Sequence, residues 1–217
     1  MLMKKLVMFD MDGVLFDSMP KHARAWHQTL FEYGYDIPES AFFLHEGRIS
    51  SSTVSILIGP GHDYKALYKR KGEILATLEH IEVMDGALDA IAAVREAGAD
   101  AIVVTGSSQD MIIERLKNEF KGLLKEEWMV TGRDVKCGKP SPEPYQRGLE
   151  KAGVAPCDAI VVENAPLGVK SGHDAGCFVI AVNTGPLDDE VLLKEGADVL
   201  YHSMRECAEH LPELILM

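Results

Sequence analysis

The residues with the clearest capacity for chemistry stand at Asp10-Met11-Asp12-Gly13, where two carboxylates two positions apart follow the apolar run Leu6 to Phe9. In extended backbone, side chains at i and i+2 point the same way, so Asp10 and Asp12 share a face if the strand geometry persists. Two carboxylates that close repel each other unless a cation or a shared proton intervenes. A Mg²⁺ ion held by one carboxylate and one backbone carbonyl meets that need, because it takes oxygen ligands and keeps several waters. Two solvated carboxylates in a turn are the plain alternative. An EF-hand is excluded, since the glycine comes too early and no Glu stands at the twelfth position of the loop.

Three other groups have matching chemistry. Thr105-Gly106-Ser107 offers a hydroxyl, a flexible residue and N–H groups ahead of a helix, which suits phosphate oxygens. Gly138-Lys139-Pro140-Ser141-Pro142 places one lysine in a proline-stiffened loop, so its ammonium is aimed with little entropic loss. Glu163-Asn164 puts an acid and an amide after another apolar run, able to complete a Mg²⁺ site directly or through water. Taken one at a time, each is also explained by turn chemistry or helix capping.

These groups need elements to hold them. Apolar runs at Leu6 to Phe9, Ala101 to Val104, Trp128 to Val130, Ala159 to Val162 and Val179 to Val182 predict five strands, each running into polar or glycine-containing turn chemistry. Helical patterns at Ala87 to Ala97, Asp110 to Phe120, Pro144 to Ala152 and Leu167 to Ala175 separate most of them. The alternation predicts right-handed β-α-β crossovers and an α/β fold, a Rossmann-like parallel sheet flanked by helices. Ligands bind at the carboxyl ends of such strands. Asp10, Thr105, Thr131, Glu163 and Asn183 stand there.

One stretch departs from this order. From about Ser18 to about Glu82 the periodicity is helical without a strand, and Gly59-Pro60-Gly61 reads as a turn. This predicts a small inserted α-helical cap domain over residues 16–82, placed as a lid on a core formed by residues 1–15 and 83–217. Gly59-Pro60-Gly61 lacks the Gly-Lys-Ser/Thr of a P-loop. The two tryptophans and ten methionines read as packing residues.

Composition bounds the partners. With 22 Lys and Arg against 34 Asp and Glu, the net charge of −12 repels nucleic acid and anionic membrane surfaces. It would repel a small phosphorylated substrate too, so a phosphate site must carry local cations. The four cysteines form no Cys-x-x-Cys pair, no run approaches the roughly 20 apolar residues needed to cross a bilayer, and the first residues are too briefly apolar for a signal peptide. A cytoplasmic monomer is the expectation.

In combination, Asp-x-Asp-Gly at the first strand, hydroxyl-Gly at the second, the isolated Lys139 and the pair Glu163-Asn164 resemble the haloacid dehalogenase superfamily. The helical insertion after the first motif resembles its β-phosphoglucomutase-like branch, and the likeness covers nearly the whole chain. The resemblance implies that Asp10 attacks phosphorus to give an aspartyl phosphate while Asp12 acts as acid and base. It implies that Thr105, Gly106, Ser107 and Lys139 hold the phosphoryl group, and that Asp10, the Asp12 carbonyl, Glu163 and Asn164 bind Mg²⁺. Many relatives carry Asp in place of Asn164, and Glu46 in His45-Glu46-Gly47-Arg48 is the expected source of the missing charge. Mutases of this branch have an arginine further beyond the cap glycine, whereas Arg48 directly follows Gly47, which favours a hydrolase over a hexose-phosphate mutase. The pattern of His22, Glu46 and Lys71 with Glu163-Asn164-Ala165-Pro166-Leu167-Gly168 looks close to a pyrophosphate-hydrolysing member, in which Lys71 and His22 would face the leaving phosphate. A non-catalytic ligand-binding protein would have no need of the paired Asp10 and Asp12.

Overall fold

The computed structural model describes residues 3–47, 50–78, 80–107 and 110–217. Five parallel strands, β1 (Leu6–Phe9), β2 (Asp100–Val103), β3 (Ala159–Glu163), β4 (Phe178–Val182) and β5 (Val199–Tyr201), form one sheet in the order β2-β1-β3-β4-β5. β1 is an interior strand, with Phe9 in register with Val103 on one side and Val162 on the other. Its four residues are wholly buried, because both faces of a parallel sheet are covered by crossover helices.

The period of two sorts β1 between two cores. Val7 and Phe9 join Ile91 and Val94 of helix α5 (Ala87–Glu96), Leu116 of α6 (Asp110–Glu119) and Leu211 and Ile215 of α10 (Met204–Ile215). Leu6 and Met8 join Tyr145 and Leu149 of α7 (Glu143–Ala152) and Val169 of α8 (Pro166–Asp174) on the opposite face. The short α9 (Asp189–Lys194) precedes β5.

Four helices, α1 (Met19–Glu32), α2 (Ser40–Phe43), α3 (Ser50–Ile58) and α4 (Tyr64–Leu75), lie between β1 and α5 and form the inserted helical unit, called the cap below. Ala23, Trp26, Leu30, Phe42, Val54 and Leu67 are its own apolar cluster, separate from the two sheet cores. The strands of chain entering and leaving it run side by side. Asp17 N–H donates to Glu82 O at 3.0 Å, Met84 N–H donates to Leu15 O at 2.9 Å, and Phe16 bridges Val83 in antiparallel fashion.

Two expectations are corrected. Trp128 to Val130 is no strand: residues Glu126–Trp128 form a single 3₁₀ turn, and only a lone parallel bridge joins Val130 to Val104. The segment reverses at once, because Asp134 Oδ2 accepts from both the N–H and the hydroxyl of Thr131. The fifth strand is instead Val199–Tyr201 at the far edge, three half-buried residues too few to show a periodicity. Among the described residues no helix is long and apolar enough to cross a membrane.

Candidate active site

Asp10 follows the end of β1, and its N–H donates to Val162 O at 3.0 Å, so the turn that carries it is fastened to β3. The chain then bends at Gly13, whose φ of +77° suits glycine. A Cβ on Gly13 would fall 2.0 Å from Nδ2 of Asn164, so close approach is required there as well as backbone freedom.

Lys139 is 3% exposed and sits between two carboxylates, with Nζ 2.5 Å from Asp10 Oδ1 and 2.5 Å from Glu163 Oε1, and a third donation to Val104 O at 3.2 Å. Burial alone would push this ammonium down, but Asp10 and Glu163 outweigh it and hold Lys139 above its ordinary value. Glu163 is fully buried with both oxygens engaged. Oε1 accepts from Lys139 and from the Tyr145 hydroxyl at 2.8 Å, while Oε2 accepts from the N–H groups of Asn164 and Ala165 at 3.0 and 3.2 Å. The Glu163 carboxylate thus anchors Lys139 and the start of α8, and the Asn164 side chain reaches Glu46.

Asp12 has a different neighbourhood. Its Oδ1 accepts from the Ser18 hydroxyl at 2.5 Å and lies 3.4 Å from His22 Nε2. His22 Nδ1 in turn lies 2.6 Å from Lys71 Nζ, so an ammonium donating to Nδ1 leaves the imidazole proton on Nε2, facing Asp12. Burial pushes Asp12 up, but the His22 and Ser18 hydrogen bonds and the Lys71 charge hold it below the usual carboxylate range. Asp10 moves the other way, to about 7, chiefly by burial, with Lys139 opposing and Glu163 and Asp12 adding to the rise. Burial lowers Lys71 to about 8 despite the attraction of Asp12. Its ammonium also lies 5.8 Å from the Trp26 ring centroid and 5.9 Å from that of Tyr68.

Glu46 brings the cap into the site. Both of its oxygens accept from Asn164 Nδ2, at 3.2 and 3.1 Å. Burial, compounded by the charges of Asp10, Glu163 and Asp12 and opposed by the Asn164 hydrogen bond, pushes it well above the usual range. The neighbouring Gly47 packs on the stem of Lys139, where a Cβ would stand 3.2 Å from Cδ. These contacts leave a cavity of about 130 Å³ lined by Asp10, Asp12, His22, Glu46, Lys71 and the Thr105-Gly106-Ser107 turn, among others. Thr105 Oγ1 accepts from the Ser107 N–H at 3.0 Å, which shapes that turn.

Asp10, Asp12, His22, Glu46, Lys71, Thr105, Gly106 and Ser107 therefore share one cavity, with Lys139 and Asn164 bonded to them from outside its wall and Glu163 bonded to Lys139, whereas Thr131 is turned to Asp134 and Asn183 to Leu187 and Asp189. Arg48 lies outside the described residues. Sequence reasoning missed Ser18, which holds Asp12 from the first turn before α1, and Tyr145, which holds Glu163 from α7. The proximity of Ser18 to the motif was a usable signal; nothing local marked Tyr145.

Among the described residues, no three His, Cys, Asp or Glu side chains form a ready-made metal cluster. The donors present are mixed, and they fit a hard divalent cation. Asn164 Oδ1 is buried with no hydrogen-bond partner. Among the described residues the carboxylates of Asp10, Asp12, Glu46 and Glu163 face two ammonium groups, Lys71 and Lys139, an excess of two negative charges when all are ionised. Oxygen donors around such an excess suit Mg²⁺.

The chain matches the family model of haloacid dehalogenase-like hydrolases over residues 7–182. It is 36% identical to hexitol phosphatase A of Escherichia coli (strain K12) across 92% of this chain and 91% of that protein. It is 29% identical to a phosphorylated carbohydrates phosphatase of Thermotoga maritima across 89% of this chain and 92% of that one. Among solved structures, a "Putative beta-phosphoglucomutase from Bacteroides vulgatus" superposes with a TM-score of 0.92 at 43% identity, covering 99% of this chain and 91% of that chain.

Proposed function

We propose that this chain, which belongs to the haloacid dehalogenase-like hydrolase family, is a Mg²⁺-dependent phosphohydrolase of a small phosphate compound, with inorganic pyrophosphate as the substrate that best fits its site. The observation that carries this reading is the buried Lys71, which with His22 lines the same 130 Å³ cavity as Asp10 under a cap closed by Glu46. That volume is well below the roughly 300–1,000 Å³ of pockets that enclose drug-sized ligands. A leaving phosphate departs as an anion, which a buried ammonium stabilises.

In the proposed reaction an Asp10 carboxylate oxygen bonds to phosphorus as the bond from phosphorus to the leaving oxygen breaks. Asp12, protonated by the attacking water of the preceding turnover, gives that proton to the leaving oxygen. Water then attacks the aspartyl phosphate, Asp12 takes its proton, and cleavage of the bond from phosphorus to Asp10 releases phosphate. Lys139, fixed by Glu163, and the Thr105 turn receive the phosphoryl oxygens. Asp10, the Asp12 carbonyl, Asn164 and Glu46 would hold Mg²⁺, which when bound offsets the charge of nucleophile and phosphate.

The names of the relatives favour a second reading, a sugar or polyol phosphate as substrate, including transfer to a sugar hydroxyl as in a mutase. Phosphate release from pyrophosphate, hexitol and hexose phosphates, with and without Mg²⁺ and with Asp10→Asn as the blank, separates the two. Preference for pyrophosphate that Glu46→Ala abolishes supports the first. Turnover of pyrophosphate unchanged by Glu46→Ala, or isomerisation of glucose 1-phosphate without release, overturns it.

A further inference from the structure

The turn that carries Asp12 is held from a distance by a residue outside every motif. Thr184, in the loop after β4, donates its hydroxyl to Gly13 O at 2.7 Å across 171 positions of sequence. Gly13 N–H donates to Phe16 O at 2.8 Å, so the residue after Asp12 is fastened at both its N–H and its carbonyl. A glycine at φ +77° has little intrinsic preference for one conformation, so the direction of this turn depends on such external bonds.

The loop that supplies Thr184 is itself stiff. Asn183 Nδ2 donates to Leu187 O and to Asp189 Oδ1, both at 2.7 Å, and Thr184 N–H donates to Val182 O at 2.9 Å. The next residue faces the cap at close range: a Cβ on Gly185 would stand 3.2 Å from Cδ1 and 3.5 Å from Cε1 of Phe43. Phe43 is the last residue of α2, three before Glu46. The cap segment that brings Glu46 to Asn164 thus also rests on the core loop that holds Gly13. Neither Thr184 nor Phe43 lines the cavity.

We propose that Thr184 is a positioning residue for Asp12, and that Phe43 seated on Gly185 makes its hold depend on cap docking. The catalytic part of this inference rests on the phosphoryl-transfer reading above.

The test combines steady-state kinetics, thermal midpoints and amide hydrogen exchange over residues 11–16 in full-length Thr184→Val, Thr184→Ser, Phe43→Ala and the Phe43→Ala/Thr184→Val pair. Loss of one neutral hydrogen bond predicts that Thr184→Val lowers kcat about 3- to 10-fold with little change in KM, and speeds exchange over 11–16. Thr184→Ser, which keeps the hydroxyl, restores both. Phe43→Ala speeds exchange over the same segment, and the pair exchanges no faster than Thr184→Val alone, as expected of two residues acting through one contact. If Thr184→Val fails to fold, Thr184→Ala gives the same comparison.

The proposal is overturned if Thr184→Val lowers the thermal midpoint but leaves kcat and exchange over 11–16 at wild-type values. It is equally overturned if Phe43→Ala speeds exchange only within the cap. A wild-type enzyme that releases phosphate from no substrate would refute the phosphohydrolase reading, and the exchange data would still decide whether Phe43, Thr184 and Gly13 are linked.

Discussion

Gly168→Ala is the most demanding test of the buried charge network, because the substitution adds one methyl group far from solvent. Gly168 lies in the first turn of α8, and a Cβ there would fall 1.8 Å from Oε1, 2.3 Å from Oε2 and 2.0 Å from Cδ of Glu163. Contacts below 3.0 Å are not tolerated, so the carboxylate must retreat by more than an ångström. Its four bonds, to Lys139, Tyr145 and the N–H groups of Asn164 and Ala165, span 2.5 to 3.2 Å and do not survive such a shift together. Losing two hydrogen bonds to a charged group, at about 1.5–3 kcal/mol each, costs about 3–6 kcal/mol. Alanine returns about 1 kcal/mol of helix propensity over glycine. The net expectation is a loss of about 2–5 kcal/mol by urea denaturation, with kcat falling as Lys139 follows its anchor away from Asp10. The same substitution on a Glu163→Ala background should be neutral or slightly stabilising, since the clash is gone. A Gly168→Ala enzyme within about 0.5 kcal/mol of wild type and with unchanged kcat would refute the reasoning, since that is the range of an ordinary surface change.

Other expectations follow from single groups. Glu46→Gln removes one cap charge from the proposed metal site, so the rise in thermal midpoint expected on adding Mg²⁺ to the wild-type protein should be smaller in the variant, as differential scanning fluorimetry would show. Lys71, held at about 8, should make kcat/KM for an anionic substrate fall as pH rises through that value, and Lys71→Met should flatten the profile from a lower start. Its stability effect has the opposite sense. Between about 8 and the ordinary value of 10.5 the unfolded chain holds the proton that the native state has lost, so stability rises with pH across that window. Asp134→Ala should cost about 1–2 kcal/mol by removing the acceptor of Thr131. In the wild type, the stability contributed by the depressed Asp134 is present above its unfolded value near 3.8 and fades as pH falls through the folded one, which acid titration of the two proteins would reveal.

The sheet was readable where burial is complete. Leu6–Phe9, 159–162 and 179–182 are continuous apolar runs because crossover helices cover both faces, and each carries its signal within itself. Val199–Tyr201 escaped because a three-residue edge strand depends on its partner for identity; its pairing with Ile180, Ala181 and Val182 is not a local property. Trp128 to Val130 misled for the converse reason, since three apolar residues fill a gap beside Val104 without extending a ladder. In the site, Asp10 and Asp12 were legible from spacing, and Lys139 from the prolines around it. The division of labour inside Glu163-Asn164 was not, because Tyr145 and Lys139 reach Glu163 from 18 and 24 positions away. Thr184 illustrates the limit: a threonine after a strand is ordinary, and only folding places it on Gly13.

The paired linkers have a consequence for how such an enzyme diversifies. Because Leu15 is bonded to Met84 and Asp17 to Glu82, the chain leaves the sheet and returns to it at nearly one point. To the core, everything beyond that ribbon is a long hairpin loop, and the entropy of closing a loop grows only slowly with its length. The cap can therefore be lengthened, shortened or exchanged with little strain on β1 or α5. Selection for a new substrate has a separate module to work on, while Asp10 and Lys139 stay in a scaffold that need not change.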